Sequence, residues 1–542
     1  MRMTAFIRVT SYGLTGALLF SIGSQAALRQ ENFDGEPSNW EGVNNRSTAF
    51  EVKTVVQNFG YSPGTAHAGG SVGEVGGRIN PAGEPAFYGY RLPQAATLET
   101  PLSAEGRLLV APGSSHALFG FFNTNTLNEW RTPNTMVLRI NGRGDHFHCH
   151  FEYCTARWRA GAGVIGEIVP GERITAAESP VGKPCQWKLV YDPKGAGGRG
   201  VISLTLNGIT ATCEIEQPHR PEGCTFTHFG FLPVLKTWDG PGDMWIDDVK
   251  INGVVFDFSK DPVWDEFNNR HTYTTKDTRP RFDFGWSATH HAGGLKAGEL
   301  GGLIFRGDCR EPARMAAFGD RLAPLNLNTK LKARGKVAVL RAISDSTASI
   351  GFYHSKHSMQ KNPSQKHSIP SDYLGINIEG PSSEAFFFYP VYRIHGDESA
   401  ALGHNGGAPR IYPDRRVHDW FLEYDPDAAD GKGRITVGLD NQVCKLDLGP
   451  GHKAAGATFD RFGICTPWID GNSVTVYFDD LEYTASPLLL QHLDAVESLS
   501  LNLFRVHFCC RTAISGYVAG DVRPFTFIEA GLELETITNS RD

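Results

Sequence analysis

The 542-residue chain reads as an all-β protein: two tandem antiparallel sandwiches made by one internal duplication. Three observations predict this. The first is the repeat itself. Trp40-x-x-x-Asn44-Asn45-Arg46 returns as Trp264-x-x-x-Asn268-Asn269-Arg270, and His67-Ala68-Gly69-Gly70 returns as His291-Ala292-Gly293-Gly294. Trp187, Tyr191, Asp192 and Pro193 return as Trp420, Tyr424, Asp425 and Pro426, and Asp247-Asp248 returns as Asp479-Asp480. Order is kept over more than two hundred residues, so a whole domain was doubled, not a short solenoid unit. The second is period-two alternation: Ile202, Leu204 and Leu206 oppose Ser203, Thr205 and Asn207, and Ile435, Val437 and Leu439 oppose Thr436, Gly438 and Asp440. The third is turn chemistry. With 61 Gly and 31 Pro, and little helical periodicity between residues 30 and 485, the chain reads as many short strands joined by turns.

Taken in order, residues 1–26 have the plan of a secretory signal peptide. Arg2 and Arg8 precede the apolar run Gly13 to Ile22, and Ser24-Gln25-Ala26 offers small residues for cleavage. The expectation is a secreted protein, extracellular or periplasmic, with no stable membrane span. The two repeats are expected at 27–255 and 256–485, each large enough for its own core. Residues 486–542 belong to neither, and Leu488 to Leu503 is predicted as an apolar helix. A net charge of −7 argues against nucleic acid as a partner. Ten cysteines in an exported chain permit disulfides. Cys213 with Cys224 and Cys444 with Cys465 are the expected pairs, each spanning a short predicted hairpin region.

The repeated glycines (Gly69, Gly70, Gly73, Gly76, Gly77 and their copies) surround a repeated acid, Glu74 or Glu299, and predict a tight strand-crossing corner. Trp187 and Trp420 are predicted core aromatics. Gly60-Tyr61-Ser62-Pro63-Gly64 matches a serine-hydrolase elbow, but no helix signal follows and the copy lacks the pattern, which excludes that reading. No strand carries the paired carboxylates of a glycosidase.

The two copies differ in one informative stretch. Residues 131–159 carry a net charge of +3 besides His146, His148 and His150, whereas the equivalent 368–397 carries −3. On a strand, Arg139, Asn141 and Arg143 share a face. After the Gly142–Asp145 turn, His146, His148 and His150 share one too, so a hairpin would set guanidinium beside imidazole. Asn123, Asn125, Trp130, Arg131 and Tyr153 are the predicted remainder of a polar groove. Three chemistries stay open. Planar hydrogen-bonding groups with aromatics suit a polysaccharide or surface glycan. Lyase chemistry on an acidic polysaccharide would use Arg143 to neutralise the uronate, His148 to take its α-proton and Tyr153 to protonate the leaving oxygen. Metal chelation by His-x-His-x-His is the third. A structural or adhesion protein would need no groove at all.

With an acidic stretch opening each unit and an Asp-Asp strand closing it, the chain resembles jelly-roll modules of the concanavalin A-like and laminin G-like class, and several carbohydrate-binding modules. The resemblance implies tandem jelly rolls and a structural Ca²⁺ held by a final-strand Asp and an early acid. That points to Glu31, Asp34, Asp247, Asp257 and Asp479.

Overall fold

Alternating strands bury one face each, so they must stack as paired sheets. A computed structural model describes residues 3–7, 27–47, 53–127, 132–142, 144–165, 181–234, 240–275, 281–342, 345–364, 366–380, 386–403, 406–485, 504–509, 513–518 and 525–527. The chain divides into two compact units. The small one contains a four-stranded antiparallel sheet ordered Met3–Ile7, Phe504–Cys509, Ala513–Val518, Phe525–Phe527. The first of these strands lies within the expected leader. The expected helix at 488–503, and the rest of the leader up to residue 26, lie outside the described residues.

The large unit holds both sandwiches, and its described strands pair antiparallel within each sheet. In the first sandwich, a seven-stranded sheet runs from Ala160–Val164 through Phe147–Cys154, Thr135–Gly142, His116–Phe122, Thr225–Leu232 and Phe87–Thr97 to Asp265–Phe267. It packs on a second sheet built around Leu102–Val110, Cys185–Asp192 and Gly242–Ile251. Phe119, Phe121, Leu138, Ile140, Phe151, Trp187, Leu204 and Ile246 fill the space between, each nearly inaccessible. The second sandwich repeats this plan with Ser346–Tyr353, Tyr373–Gly380 and Phe386–Arg393 in one sheet, and Leu331–Ala342, Val417–Asp425 and Ser473–Ala485 in the other.

The repeated aromatic strand belongs to both cores. Trp187 Nε1 donates to the Arg107 carbonyl at 3.1 Å and Trp420 Nε1 to that of Lys336 at 3.3 Å. Tyr191 and Tyr424 hydroxyls each donate to a backbone carbonyl at 2.8 Å. Burying an aromatic body while satisfying its polar tip explains why both residues recur. The repeated corner is equally local. Glu74 accepts the Ala68 N–H at 3.0 Å, and Glu299 accepts the Ala292 N–H at 2.7 Å, folding each His-Ala-Gly-Gly loop onto a buried carboxylate.

Sheet membership departs from the linear cut at 255/256. Strand Trp40–Val43 pairs with Ala317–Asn326, Trp40 opposite Asp320 and Val43 opposite Ala317, and so joins the second sandwich. Ala27–Glu31 pairs with the second sandwich's Ser473–Ala485. Strands Asp265–Phe267 and Arg270–Thr274 join the first sandwich, against Phe87–Thr97 and Thr54–Ser62. The opening segment of each repeat therefore completes the other repeat's sandwich.

The recurring Trp-x-x-x-Asn-Asn-Arg string makes this exchange. Asn45 donates to the Phe284 carbonyl at 2.6 Å, and Asn269 to that of Phe59 at 2.7 Å. Arg46 and Arg270 guanidiniums reach the carbonyls of Trp286 and Tyr61. Beside them, Asp265 binds Arg91 and His228, while Glu41 binds Arg321 and Arg461 at the matching positions. A Cβ on Gly73 or Gly298, both at positive φ, would lie 1.9 Å from the carbonyl oxygen of Phe258 or Phe33 in the exchanged segment. Only glycine lets the backbones approach so closely.

Cys149, Cys154, Cys185, Cys213, Cys224, Cys309, Cys444 and Cys465 are free thiols, which corrects both expected pairings. Cys444 and Cys465 sit on strands of different sheets, and so do Cys213 and the start of the strand that follows Cys224. Among the described residues no helix is long and apolar enough to cross a membrane.

Candidate functional site

The predicted hairpin forms with the predicted facing. Thr135–Gly142 pairs with Phe147–Cys154 so that His148 lies opposite Asn141 and His150 opposite Arg139. On the far side, His116–Phe122 pairs with Thr135–Gly142, placing His116 opposite Asn141 and Leu118 opposite Arg139. Since Phe119, Leu138, Ile140, Phe147 and Phe151 face the core, their neighbours face away from it. His116, Asn141 and His148 thus form one straight row across three strands on the outer face. Leu118, Arg139 and His150 form the next row.

Asn141 and His148 make the floor, 6% and 7% exposed, and His116, His146 and His150 are half-buried around them. The Asn141 Oδ1 is buried with no hydrogen-bond partner among the described residues. An orphaned buried acceptor costs about 1–3 kcal/mol, so its retention here needs a reason. The His146 and His148 rings lie 5.4 Å apart, and His146 Nδ1 faces the Asp145 carboxylate at 2.7 Å. That imidazole holds the Asp145 carboxyl below its usual range. Leu118, Phe122, Val137 and Leu232 add an apolar cluster further along the same face.

Several expected members do not join. Tyr153 shares its phase with Phe147, Cys149 and Phe151, so it points into the core, fully buried and hydrogen-bonded to His219 at 2.9 Å. Asn123 is a turn-former, its Oδ1 accepting the Asn125 N–H at 3.0 Å and its Nδ2 donating to the Thr225 carbonyl. Asn125 is exposed on that turn. Arg139 faces Glu152 at 3.2 Å, so part of the charge excess is neutralised within the face. Trp130, Arg131 and Arg143 lie outside the described residues. His116 and Glu152 escaped the sequence reading, because alternation gives the facing of a strand but not the register that brings His116 level with Asn141.

The matching face of the second sandwich is closed on itself. There Thr347, Glu379 and Phe387 occupy one row and Ser349, Asn377 and Tyr389 the next. Arg306 donates to Thr347 and Glu379, each at 2.8 Å, and the Tyr389 hydroxyl donates to Glu379. A cleft of about 560 Å³ opens on this sandwich's other sheet, between Glu31, Lys336, Asp480 and Glu482. Its cations are paired, Lys336 with Asp480 at 2.6 Å and Arg334 with Glu482 at 2.8 Å, so nothing there converges on a ligand.

The five proposed calcium carboxylates split. Asp247 and Asp479 are fully buried, and the Oδ2 of each has no hydrogen-bond partner among the described residues. Burial pushes both carboxyls up to about 6, and the neighbouring Asp248 or Asp480 and Glu74 or Glu299 push the same way. Gly70 and Gly294 stand directly over them: a Cβ there would come within 2.5 Å and 1.9 Å of the orphaned oxygen. These two fit a hard cation. Asp257 caps Ser259, Asp34 binds Lys296 and Asn32, and Glu31 accepts the Phe33 N–H, so none of the three is directed to such a site.

Known proteins add little at the sequence level. No family model matches the chain, and no curated protein matches it. Among solved structures it is similar to the LG4-5 domains of the mouse laminin alpha1 chain, at 10% identity and a TM-score of 0.22, over 78% of this chain and 96% of that one. It is also similar to the Emp47p carbohydrate recognition domain, at 12% identity and TM-score 0.24, over 38% and 89%. A third is an alginate lyase in complex with an alginate tetrasaccharide, at 10% identity and TM-score 0.23, over 35% and 82%. These neighbours are thus laminin LG domains, a carbohydrate recognition domain and a lyase. The antiparallel double sheets are read from the chain's own strand pairing, and the neighbours' ligands say nothing about this one.

Proposed function

We propose that the chain is an exported glycan-binding protein whose first sandwich takes sugar on the row His116, Asn141 and His148. The observation that carries this is the buried Asn141 carbonyl oxygen, without a hydrogen-bond partner among the described residues, between two imidazoles. A sugar hydroxyl is a donor of the right size to satisfy it, and flanking ring nitrogens can accept or donate in turn. With Arg139 facing Glu152, a neutral glycan fits as well as an acidic one. The second sandwich, whose equivalent positions satisfy each other, serves as support.

Titration calorimetry against neutral and uronate-containing polysaccharides tests the reading. Asn141→Ala and His148→Ala should each weaken binding about tenfold, the worth of one hydrogen bond. Binding untouched by either variant would refute it.

A lyase reading keeps one support, the cross-strand pairing of an amide (Asn141) with an imidazole (His148) that could neutralise a uronate and take its proton. It lacks the predicted leaving-group acid, because Tyr153 lies in the core. Absorbance from unsaturated product, abolished by His148→Ala, would establish it. Binding without that product would leave a lectin-like module, and neither signal would leave a structural or adhesion role. The reading also places one structural Ca²⁺ in each sandwich, with Asp247 and Asp479 as carboxylate ligands.

A further inference from the structure

The two copies hold the same loop device but equip it differently. In the first sandwich, Asn134 sits just before strand Thr135–Gly142 with φ +60, and its Oδ1 accepts the Thr225 N–H at 2.8 Å. In the second, Asp372 sits just before Tyr373–Gly380 with φ +52, and its Oδ1 accepts the Thr458 N–H at 2.8 Å. The fold needs one side-chain oxygen at this position, and an amide supplies it as well as a carboxylate does.

The second atom differs. Asn134 Nδ2 lies 3.5 Å from Thr126 Oγ1. Asp372 Oδ2 instead meets His357 Nδ1 and His395 Nδ1, each at 2.8 Å. The backbone at His395 is held as at Ala156 in the first copy: Ala156 N–H donates to Gly223 and His395 N–H to Gly456, both at 2.9 Å. A threonine, an amide and an alanine in one copy stand where the other has histidine, carboxylate and histidine. Nothing in the shared backbone requires that exchange.

We propose that His357, Asp372 and His395 form a binding site for a divalent transition cation of the Zn²⁺ class. These three are the one group of potential ligands among the described residues whose donor atoms all lie within 4.8 Å of one another. Ligands held about 2.0–2.1 Å from one tetrahedral ion lie about 3.3–3.4 Å apart, so an ion would need these donor atoms to part by only about half an ångström. Two imidazoles and one carboxylate suit Zn²⁺ and its neighbours rather than Ca²⁺ or Mg²⁺, which prefer oxygen alone. Asp372 is fully buried while His395 is 63% exposed, so the cation would keep its remaining positions toward solvent. His354 supports the ligand face. Its ring stacks on His357 at 3.9 Å with 7° between planes, and its Nδ1 accepts the Lys356 and His357 N–H groups. On binding, each ligand ring turns its Nδ1 lone pair to the ion and carries its proton on Nε2. The bound ion would join the loop after Ser346–Tyr353 to the loop after Phe386–Arg393.

The test uses the full chain, freed of metal with a chelator and titrated with Zn²⁺ by calorimetry, and with Co²⁺ by visible absorption. One equivalent of each is expected, Co²⁺ giving the ligand-field bands of a low-coordinate nitrogen and oxygen site. Asp372→Asn keeps the oxygen that Thr458 needs, as Asn134 does in the first copy. It should therefore fold normally while losing affinity at least about tenfold. His395→Ala should lose as much and, being exposed, decides the matter if Asp372→Asn fails to fold. Absence of stoichiometric binding, or binding equal to wild type in the folded variants, overturns the site. Neither variant touches Asn141 or His148, so this result and the glycan result are independent.

Discussion

Replacing Trp40 with alanine is expected to destabilise the second sandwich by about 3–5 kcal/mol, although Trp40 lies in the first repeat of the sequence. Its ring is 7% exposed and packs edge-on to Phe33 at 5.2 Å, stacked on Phe318 at 5.5 Å and edge-on to Tyr483 at 6.3 Å. Phe318 and Tyr483 lie on second-sandwich strands. Trp264→Ala should do the same to the first sandwich, where that ring packs on Tyr88, Phe256 and Phe258. Hydrogen exchange read by segment separates the two. Protection should fall in 282–485 for Trp40→Ala and in 53–275 for Trp264→Ala. A Trp40 variant that loosens only 53–275 would contradict the exchanged pairing.

The second large effect concerns Asp247 and Asp479. With each carboxyl raised to about 6 from an ordinary 3.8, the folded chain holds protons between these values that the unfolded chain has released. Stability should therefore fall as pH rises from about 4 to 6, by about 3 kcal/mol for each group, and stay lower above it. At neutral pH without added cation, Asp247→Asn removes the buried charge and still accepts the Asp248 N–H. It is expected to be about 3 kcal/mol more stable than wild type in urea titration. Added Ca²⁺ should stabilise the wild type at neutral pH and help the double variant Asp247→Asn/Asp479→Asn little. A flat profile across this range, with no response to Ca²⁺, would remove both the strain and the cation from these sites.

How much of this could be read from residues alone follows from what alternation encodes. Period two fixes which side chains share a face, so the all-β class, the core positions of Trp187 and Trp420, and the Arg139–His150 juxtaposition were legible. The same rule placed Tyr153 with Phe151, yet chemistry drew it toward the histidines, and the core kept it. Asn123 shows another limit. It continues an apolar strand in sequence, but its amide closes the turn at the strand end. Alternation does not say which sheet a strand joins, so Trp40–Val43 read as part of its neighbours. His357, Asp372 and His395 come from separate segments, and only the fold brings them together.

The exchanged opening segment has a consequence for how the molecule is made. Residues 40–43 leave the ribosome early, but the strand they must pair with, Ala317–Asn326, is synthesised much later. During that interval the newborn N-terminal stretch has no docking place, and afterwards the unfinished sheet presents a bare edge to whatever strand arrives first. At high concentration the arriving strand can come from a second molecule, giving intertwined dimers with native pairing throughout. Refolding yield should therefore depend on dilution more steeply than for a chain whose sandwiches close in sequence order.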